Sequence, residues 1–172
     1  MEVVMDANNI REEALQRMVT QYQSTLLHMC YLYLRDAALA EDAVQETFLK
    51  AYRAMNHFRG DCNEKSWLIK IAVNTCRDMQ RSTWLRHTDR RITPDMLPEA
   101  TVPFETKDEE LILSVMELPV KLRETVLLYF FQNMSVKEIA SLLSLASPTV
   151  SNRLKRATKK LRIALEGSHY YE

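Results

Sequence analysis

The sequence predicts an all-α fold, built as two small helical domains joined by a proline-containing linker. Three observations carry that prediction. Only two glycines, Gly60 and Gly167, occur in 172 residues, and tight hairpin turns need residues that accept positive φ. Alternating β-branched runs are missing, whereas apolar residues recur at spacings of three and four. Pro94, Pro98 and Pro103 crowd into residues 86–106. Each removes a backbone donor and pushes its predecessor toward extended structure, so no helix continues through them. The expected domains are therefore 11–85 and 107–166, with 86–106 as the linker.

The first domain opens on a long helix near Arg11 to Leu34. Its buried stripe is Leu15, Met18, Tyr22, Leu26, Met29 and Tyr33. The stretch DAALAEDAVQETFLKAYRAM follows, with Ala40, Val44, Phe48, Ala51 and Met55 facing inward. Asp42, Gln45, Glu46, Leu49 and Arg53 take the opposite face. The loop HFRGDCN turns at Gly60. A third helix, about Glu64 to Leu85, is expected to bury Trp67, Leu68, Ile71, Thr75 and Met79. Lys70, Asn74, Arg77 and Arg81 then share one face, because residues three and four apart are helical neighbours.

The second domain reads as four helices. Asp108 to Glu117 comes first. Pro119 sits in the first turn of the next, Val120 to Gln132. Ser135 caps the third, and Glu138 completes a capping box. Ser144 to Ala146 form a tight turn, Ser147 caps the fourth helix and Pro148 occupies its first position. The residues EGSHYYE are expected to form a frayed tail.

Composition narrows the function. The apolar content of 47% is that of a globular chain. No apolar run approaches the ~20 residues that span a membrane. The N-terminus lacks the basic start and apolar core of a signal peptide, so a cytoplasmic location is expected. Cys30, Cys62 and Cys76 are widely spaced, which suits reduced thiols used as small hydrophobes. The scattered His28, His57, His87 and His169 define no site. With no glycine-rich phosphate loop, metal cluster or nucleophile–base pair, no catalytic residue, metal or cofactor is expected.

The 23 basic and 23 acidic side chains cancel, but they are segregated. Residues 1–56 are net −3, 57–91 net +4, 92–117 net −6 and 135–163 net +6. Screening confines electrostatics to roughly 8–10 Å, so local blocks rather than the total decide what the surface attracts. Two basic blocks at the ends of two helical domains point to nucleic acid.

The last two helices form a helix-turn-helix. Ile139, Ala140, Leu145, Val150 and Leu154 have the spacing to pack it. Its second helix offers Thr149, Ser151, Asn152, Arg153 and Arg156 to a major groove, where Asn suits adenine and Arg suits guanine. Lys155, Lys159 and Lys160 suit phosphates, which fix register without reading sequence. A conventional helix-turn-helix repressor or activator satisfies these features too. It needs a dimer interface, and no leucine-rich helix follows Leu165.

Three segments in order resemble bacterial extracytoplasmic-function (ECF) RNA polymerase sigma factors, the group that keeps only conserved regions two and four. DAALAEDAVQETFLKAYRAM is similar to the core-polymerase-binding helix. FRGDCNEKSWLIKIAVNTCRD is similar to the promoter-melting and −10-reading segment. ELPVKLRETVLLYFFQNMSVKEIASLLSLASPTVSNRLKRATKKLR is similar to the −35-reading domain. The resemblance spans residues 15 to 165. It implies a non-enzymatic promoter-specificity subunit.

The resemblance also implies roles for named residues. Asp42, Gln45, Glu46, Leu49 and Lys50 would dock on the β′ clamp of core polymerase, with the β flap as a further contact of the assembly. Phe58, Arg59, Gly60 and Asp61, in a loop running to Asn63, would capture a flipped base of the melted −10 element. Asn74 would lie beside that pocket, with Lys70, Arg77 and Arg81 on the adjoining backbone. Trp67, on the apolar face, is assigned to core packing. Ser151, Asn152, Arg153, Lys155 and Arg156 would face the −35 element, with Thr149 and Lys159 at the same edge. The linker would thread toward the active-site channel. A membrane-linked anti-sigma factor is the implied inhibitor. Pro148, Ser151 and Thr158 depart from the common family pattern, which has Gly, a basic residue and Arg there, so no promoter sequence carries over.

Overall fold

A computed structural model describes residues 6–84 and 106–168. The predicted linker 86–106 lies outside them except for Thr106, which begins a helix, and the final residues 169–172 lie outside them too. The chain divides into two compact units, Met1–Arg90 and Arg91–Glu172. The described residues are helical, without a strand among them.

In the first unit, α1 (Ala7–Leu34), α2 (Ala37–Ala54) and α3 (Glu64–Trp84) pack mutually. Helix α1 starts four residues before the expected Arg11, because the Asp6 carbonyl already accepts from the N–H groups of Asn9 and Ile10. It stops where Arg35 turns left-handed (φ 61°). Asp36 then accepts a hydrogen bond from the Leu39 N–H at 3.0 Å and caps α2, so one two-residue joint reverses the chain. Met18, Leu26, Met29 and Tyr33 are buried as predicted, while Leu15 and Tyr22 are half-buried. Cys30, Tyr31 and Leu32 are also buried, and α1 packs against both other helices.

The inner face of α2 carries Ala40, Ala43, Val44, Thr47, Phe48 and Ala51. Met55 lies past the helix end, half-buried in a 3₁₀ turn (Met55–His57). Helix α3 is rotated relative to the sequence reading. Leu68, Ile69, Ala72, Val73, Thr75 and Cys76 are buried, whereas Trp67, Ile71 and Met79 are only half-buried. A single-stripe reading missed this because α3 packs on two helices at once.

The second unit contains α4 (Thr106–Glu117), α5 (Val120–Val126), α6 (Val136–Leu143) and α7 (Ser147–Ser168). Helix α5 is central: every residue from Leu122 to Leu128 is buried. The predicted helix 120–132 is not uniform. Its last turn, Leu127–Phe131, is π-helical, and the Gln132 N–H donates to the Leu127 carbonyl at 3.1 Å. Asn133 (φ 54°) then ends it in the left-handed region that Asn tolerates.

The Ser135–Glu138 capping box forms with both of its hydrogen bonds, 3.2 and 2.7 Å. Those bonds hold the Glu138 carboxyl below its ordinary range. Ser144 (φ 55°) makes the sharp turn after α6. Ala146, not Ser147, supplies the carbonyl that opens α7, accepting from Thr149 and Val150. The cap is therefore one residue earlier than predicted. Helix α7 also continues through Ser168, so the start of the expected frayed tail is helical.

Candidate nucleic-acid interface

Helices α6 and α7 pack together, and α7 also packs on α4 and α5; Ile139, Ala140, Val150 and Ala157 are buried, with Leu145 and Leu154 half-buried. This is the predicted helix-turn-helix. Burial of Val150 and Ala157, with Leu154 half-buried on the same side, fixes which face of α7 turns outward. Thr149, Asn152, Lys155, Arg156, Lys159 and Lys160 are exposed, and Ser151 is half-buried beside them. Spacings of three and four put Asn152, Arg156 and Lys159 on one strip.

Arg153 departs from the predicted set. It lies in the inward stripe and is 16% exposed. Its Nη1 donates to Glu124 Oε1 at 3.1 Å, and the Glu124 side chain is 3% exposed. A guanidinium held inside the domain on a carboxylate is not presented to a groove as a free fork. The 150–154–157 apolar spacing contains the signal, but the basic run around Arg153 masks it.

In the first unit, Lys70, Asn74 and Arg81 are exposed on α3 and Arg77 is half-buried. Asp78 lies 4.0 Å from Arg81, in a loose pair between exposed side chains. The loop before α3 exposes Arg59, Gly60, Asp61, Cys62 and Asn63. Gly60 sits at φ 76°, where a Cβ would be strained. Both loop ends are tied. The Phe58 ring packs on Trp67 with centroids 4.7 Å apart. Asn63 Oδ1 accepts from the Ser66 N–H at 2.7 Å and its carbonyl accepts from Trp67. Trp67 is therefore not the core residue the sequence suggested, but a half-buried partner of Phe58 beside the loop.

A further tie was not foreseen. Arg17 on α1 grips Glu64, in the first turn of α3, through two bonds of 2.8 and 2.6 Å. The bond to Arg17 holds the Glu64 carboxyl below its ordinary range, and the same bond raises Arg17. Paired opposite charges far apart in sequence leave no periodic signal.

On α2, Asp42, Gln45, Leu49 and Arg53 are exposed. Leu49 is 50% exposed, an apolar side chain amid polar neighbours. Glu46 and Lys50 are half-buried. Lys50 Nζ donates to Thr75 Oγ1 on α3 at 3.1 Å and lies 3.9 Å from Glu46. Lys50 thus reaches across the domain as well as bordering the exposed face.

Among the described residues, no group of three or more His, Cys, Asp or Glu side chains could hold a metal ion. No helix among them is long and apolar enough to cross a membrane. Cys30 and Cys76 are buried together, and the contact with Cys30 raises the Cys76 thiol, helped by desolvation.

Two all-helical units, the second ending in a helix-turn-helix, make up the described residues. Comparison with known proteins gives the class. Residues 18–86 match the Sigma-70 region 2 family and residues 108–161 match Sigma-70 region 4. The RNA polymerase sigma-H factor of Pseudomonas aeruginosa is 28% identical, over 90% of this chain and 88% of its own length. The ECF RNA polymerase sigma factor SigM of Mycobacterium tuberculosis is 30% identical, over 86% of this chain and 75% of its own. The sigma factor RpoE of Bartonella quintana, solved in complex with the anti-sigma factor NepR, has a similar fold. Its TM-score is 0.72 at 21% identity, covering 90% of this chain and 98% of that one.

The chain belongs to the sigma-70 family of RNA polymerase sigma factors, in its extracytoplasmic-function group. It directs promoter-specific initiation and catalyses no bond chemistry itself, which sets aside the conventional repressor or activator.

Proposed function

We propose that α7 reads the −35 element through Thr149, Ser151, Asn152 and Arg156, with Lys155 and Lys159 on phosphates. The carrying observation is that helix-turn-helix packing leaves these side chains together on one solvent-facing edge. Bases specify and phosphates position, so the polar residues select sequence and the lysines set register. The Phe58–Asn63 loop captures a flipped base of the melted −10 element. Its tied ends and exposed middle support that reading. Asn74 contacts the captured base, while Lys70, Arg77 and Arg81 hold the adjoining backbone. Flipping exposes every edge of a base to a pocket, and a loop held at both ends orders little on capture.

Core polymerase docks on α2 through Asp42, Gln45, Glu46 and Leu49 at the β′ clamp, with Lys50 bordering the contact and the β flap as a second contact of the assembly. An apolar side chain ringed by polar ones suits a reversible interface. The basic faces are small and phosphate contacts are salt-sensitive, so free protein binds duplex promoters weakly and polymerase brings both units to bear. A membrane-linked anti-sigma factor covers these surfaces and holds the protein at the inner face of the membrane until a signal releases it. The likeness to the sigma factor RpoE, solved with the anti-sigma factor NepR, supports an inhibitor.

Run-off transcription with core polymerase over promoters of the source genome tests the proposal. Promoter-directed transcripts that require this protein are expected. Their absence on every template overturns it. For the inhibitor, co-purification from source cells is expected to recover a one-span membrane protein, and recovery of polymerase alone contradicts it.

A further inference from the structure

Two consecutive charged residues are buried at the centre of the second unit. Arg123 and Glu124 are each 3% exposed, on α5. They reach different helices. Arg123 Nη1 donates to the carbonyls of Met116 and Leu118, at 2.8 and 3.0 Å, and closes the C-terminal end of α4. Glu124 Oε1 accepts from Arg153 Nη1 on α7 at 3.1 Å. One turn of α5 thus fastens the helix before it and the reading helix after it.

The placement of Arg153 on α7 makes this consequential. Its neighbours Asn152 and Arg156 are exposed on the reading edge, and Val150, Leu154 and Ala157 pack inward. Apolar packing selects the face of α7 that is buried, because a large roll would expose Val150 and Ala157, but smaller rotations stay open to side chains that repack. A directional bond to a buried carboxylate fixes that rotation, because a buried charge left without its partner is costly. We infer that Arg153 is a positioning residue: held by Glu124, it sets the roll of α7 and hence the aim of Asn152 and Arg156, and it reads no base. The inference rests on the proposal that α7 reads the −35 element.

The test is transcription by reconstituted holoenzyme over a library of every single-base −35 variant, with thermal melting recorded in parallel. The variants are Arg153→Ala, Arg153→Lys, Glu124→Gln and the Glu124→Gln/Arg153→Ala pair, with Arg156→Ala as the exposed reader. The expected result is that Arg153→Ala and Glu124→Gln each lower output from the preferred promoter about ten-fold. They should flatten discrimination at all −35 positions together, and the pair should be no worse than either single change. Arg153→Lys should recover part of the loss. Arg156→Ala should flatten one or two positions only. Should Arg153→Ala fail to fold, the isosteric Glu124→Gln and Arg153→Lys carry the comparison.

Loss of discrimination at a single position in Arg153→Ala, with Glu124→Gln unchanged, overturns the inference and makes Arg153 a reader. Lower melting temperatures with wild-type discrimination at every position also overturn it, because the pair is then merely structural. A wild-type holoenzyme indifferent to the whole −35 library removes the underlying reading instead, and the inference with it.

Discussion

Helix α7 and the loop before α3, the two surfaces proposed to meet promoter DNA, are built in opposite ways. Helix α7 is fastened from inside, through apolar packing and a largely buried ion pair to Glu124. The loop before α3 is exposed along its middle and tied only at its ends, by an aromatic contact, a helix cap and a partly exposed ion pair. A duplex is a stiff target, and a rigid helix that enters its groove must be aimed in advance. An extruded base is a mobile target, and a loop with an open middle can close on it. Each surface should therefore be fragile in its own place: α7 to changes in its core, the loop to changes at its two ends.

The largest effect is expected from Glu124→Ala, which leaves Arg153 without its buried partner. Breaking such a pair costs about 3–5 kcal/mol, so the second unit should melt well below its own wild-type temperature in calorimetry, with the first unit unchanged. Coincident melting of both units at the wild-type temperature would remove the contrast. Arg156→Ala comes next. It should cost about 1–3 kcal/mol of promoter binding at one or two −35 positions, read by competition binding of holoenzyme, and leave stability unchanged. Phe58→Ala should weaken the hold on the loop by about 1 kcal/mol. Permanganate footprinting should then show reduced strand opening, while duplex binding at the −35 end is retained.

The smallest effect is expected from Arg17→Ala. The pair is partly exposed, with Arg17 at 53% and Glu64 at 22%, so solvent leaves it worth at most about 1 kcal/mol. Its pH dependence has a definite sign. Glu64 is held below its unfolded value, so the contribution is complete above about pH 4.3 and is lost as pH falls through the lowered folded value. The gap in melting temperature between wild type and Arg17→Ala should close in that acidic window and stay constant at neutral pH.

Much of this contrast was legible in the sequence, but unevenly. The Ser135–Glu138 box, the turn at 144–146 and the packing of Val150 all follow from local rules that act within four residues, and they stand where those rules put them. So does the exposed Leu49 face of α2, whose inner residues are set by one stripe. Features that join distant segments were not legible. Arg153 sits in a run of bases and reads as DNA-facing, because nothing near it announces that Glu124, 29 residues earlier, lies beneath it. Trp67 reads as core because one helical stripe was assumed, whereas α3 serves two neighbours and turns that ring toward Phe58. The π-helical turn at 127–131 has no signal in the residues LLYFF, which suit an ordinary α-helix; only the bond from the Gln132 N–H to the Leu127 carbonyl marks it.

The central claim is that each face reads its own promoter element, and that both act only within the polymerase assembly. Transcription by holoenzyme from a promoter library randomised at both elements tests this most directly, with Arg156→Ala and Asn74→Ala compared against wild type. Arg156→Ala should alter preferences only at −35 positions and Asn74→Ala only at −10 positions. Equal loss on all templates for both variants, or a wild-type protein that directs no transcript from any promoter, would contradict it.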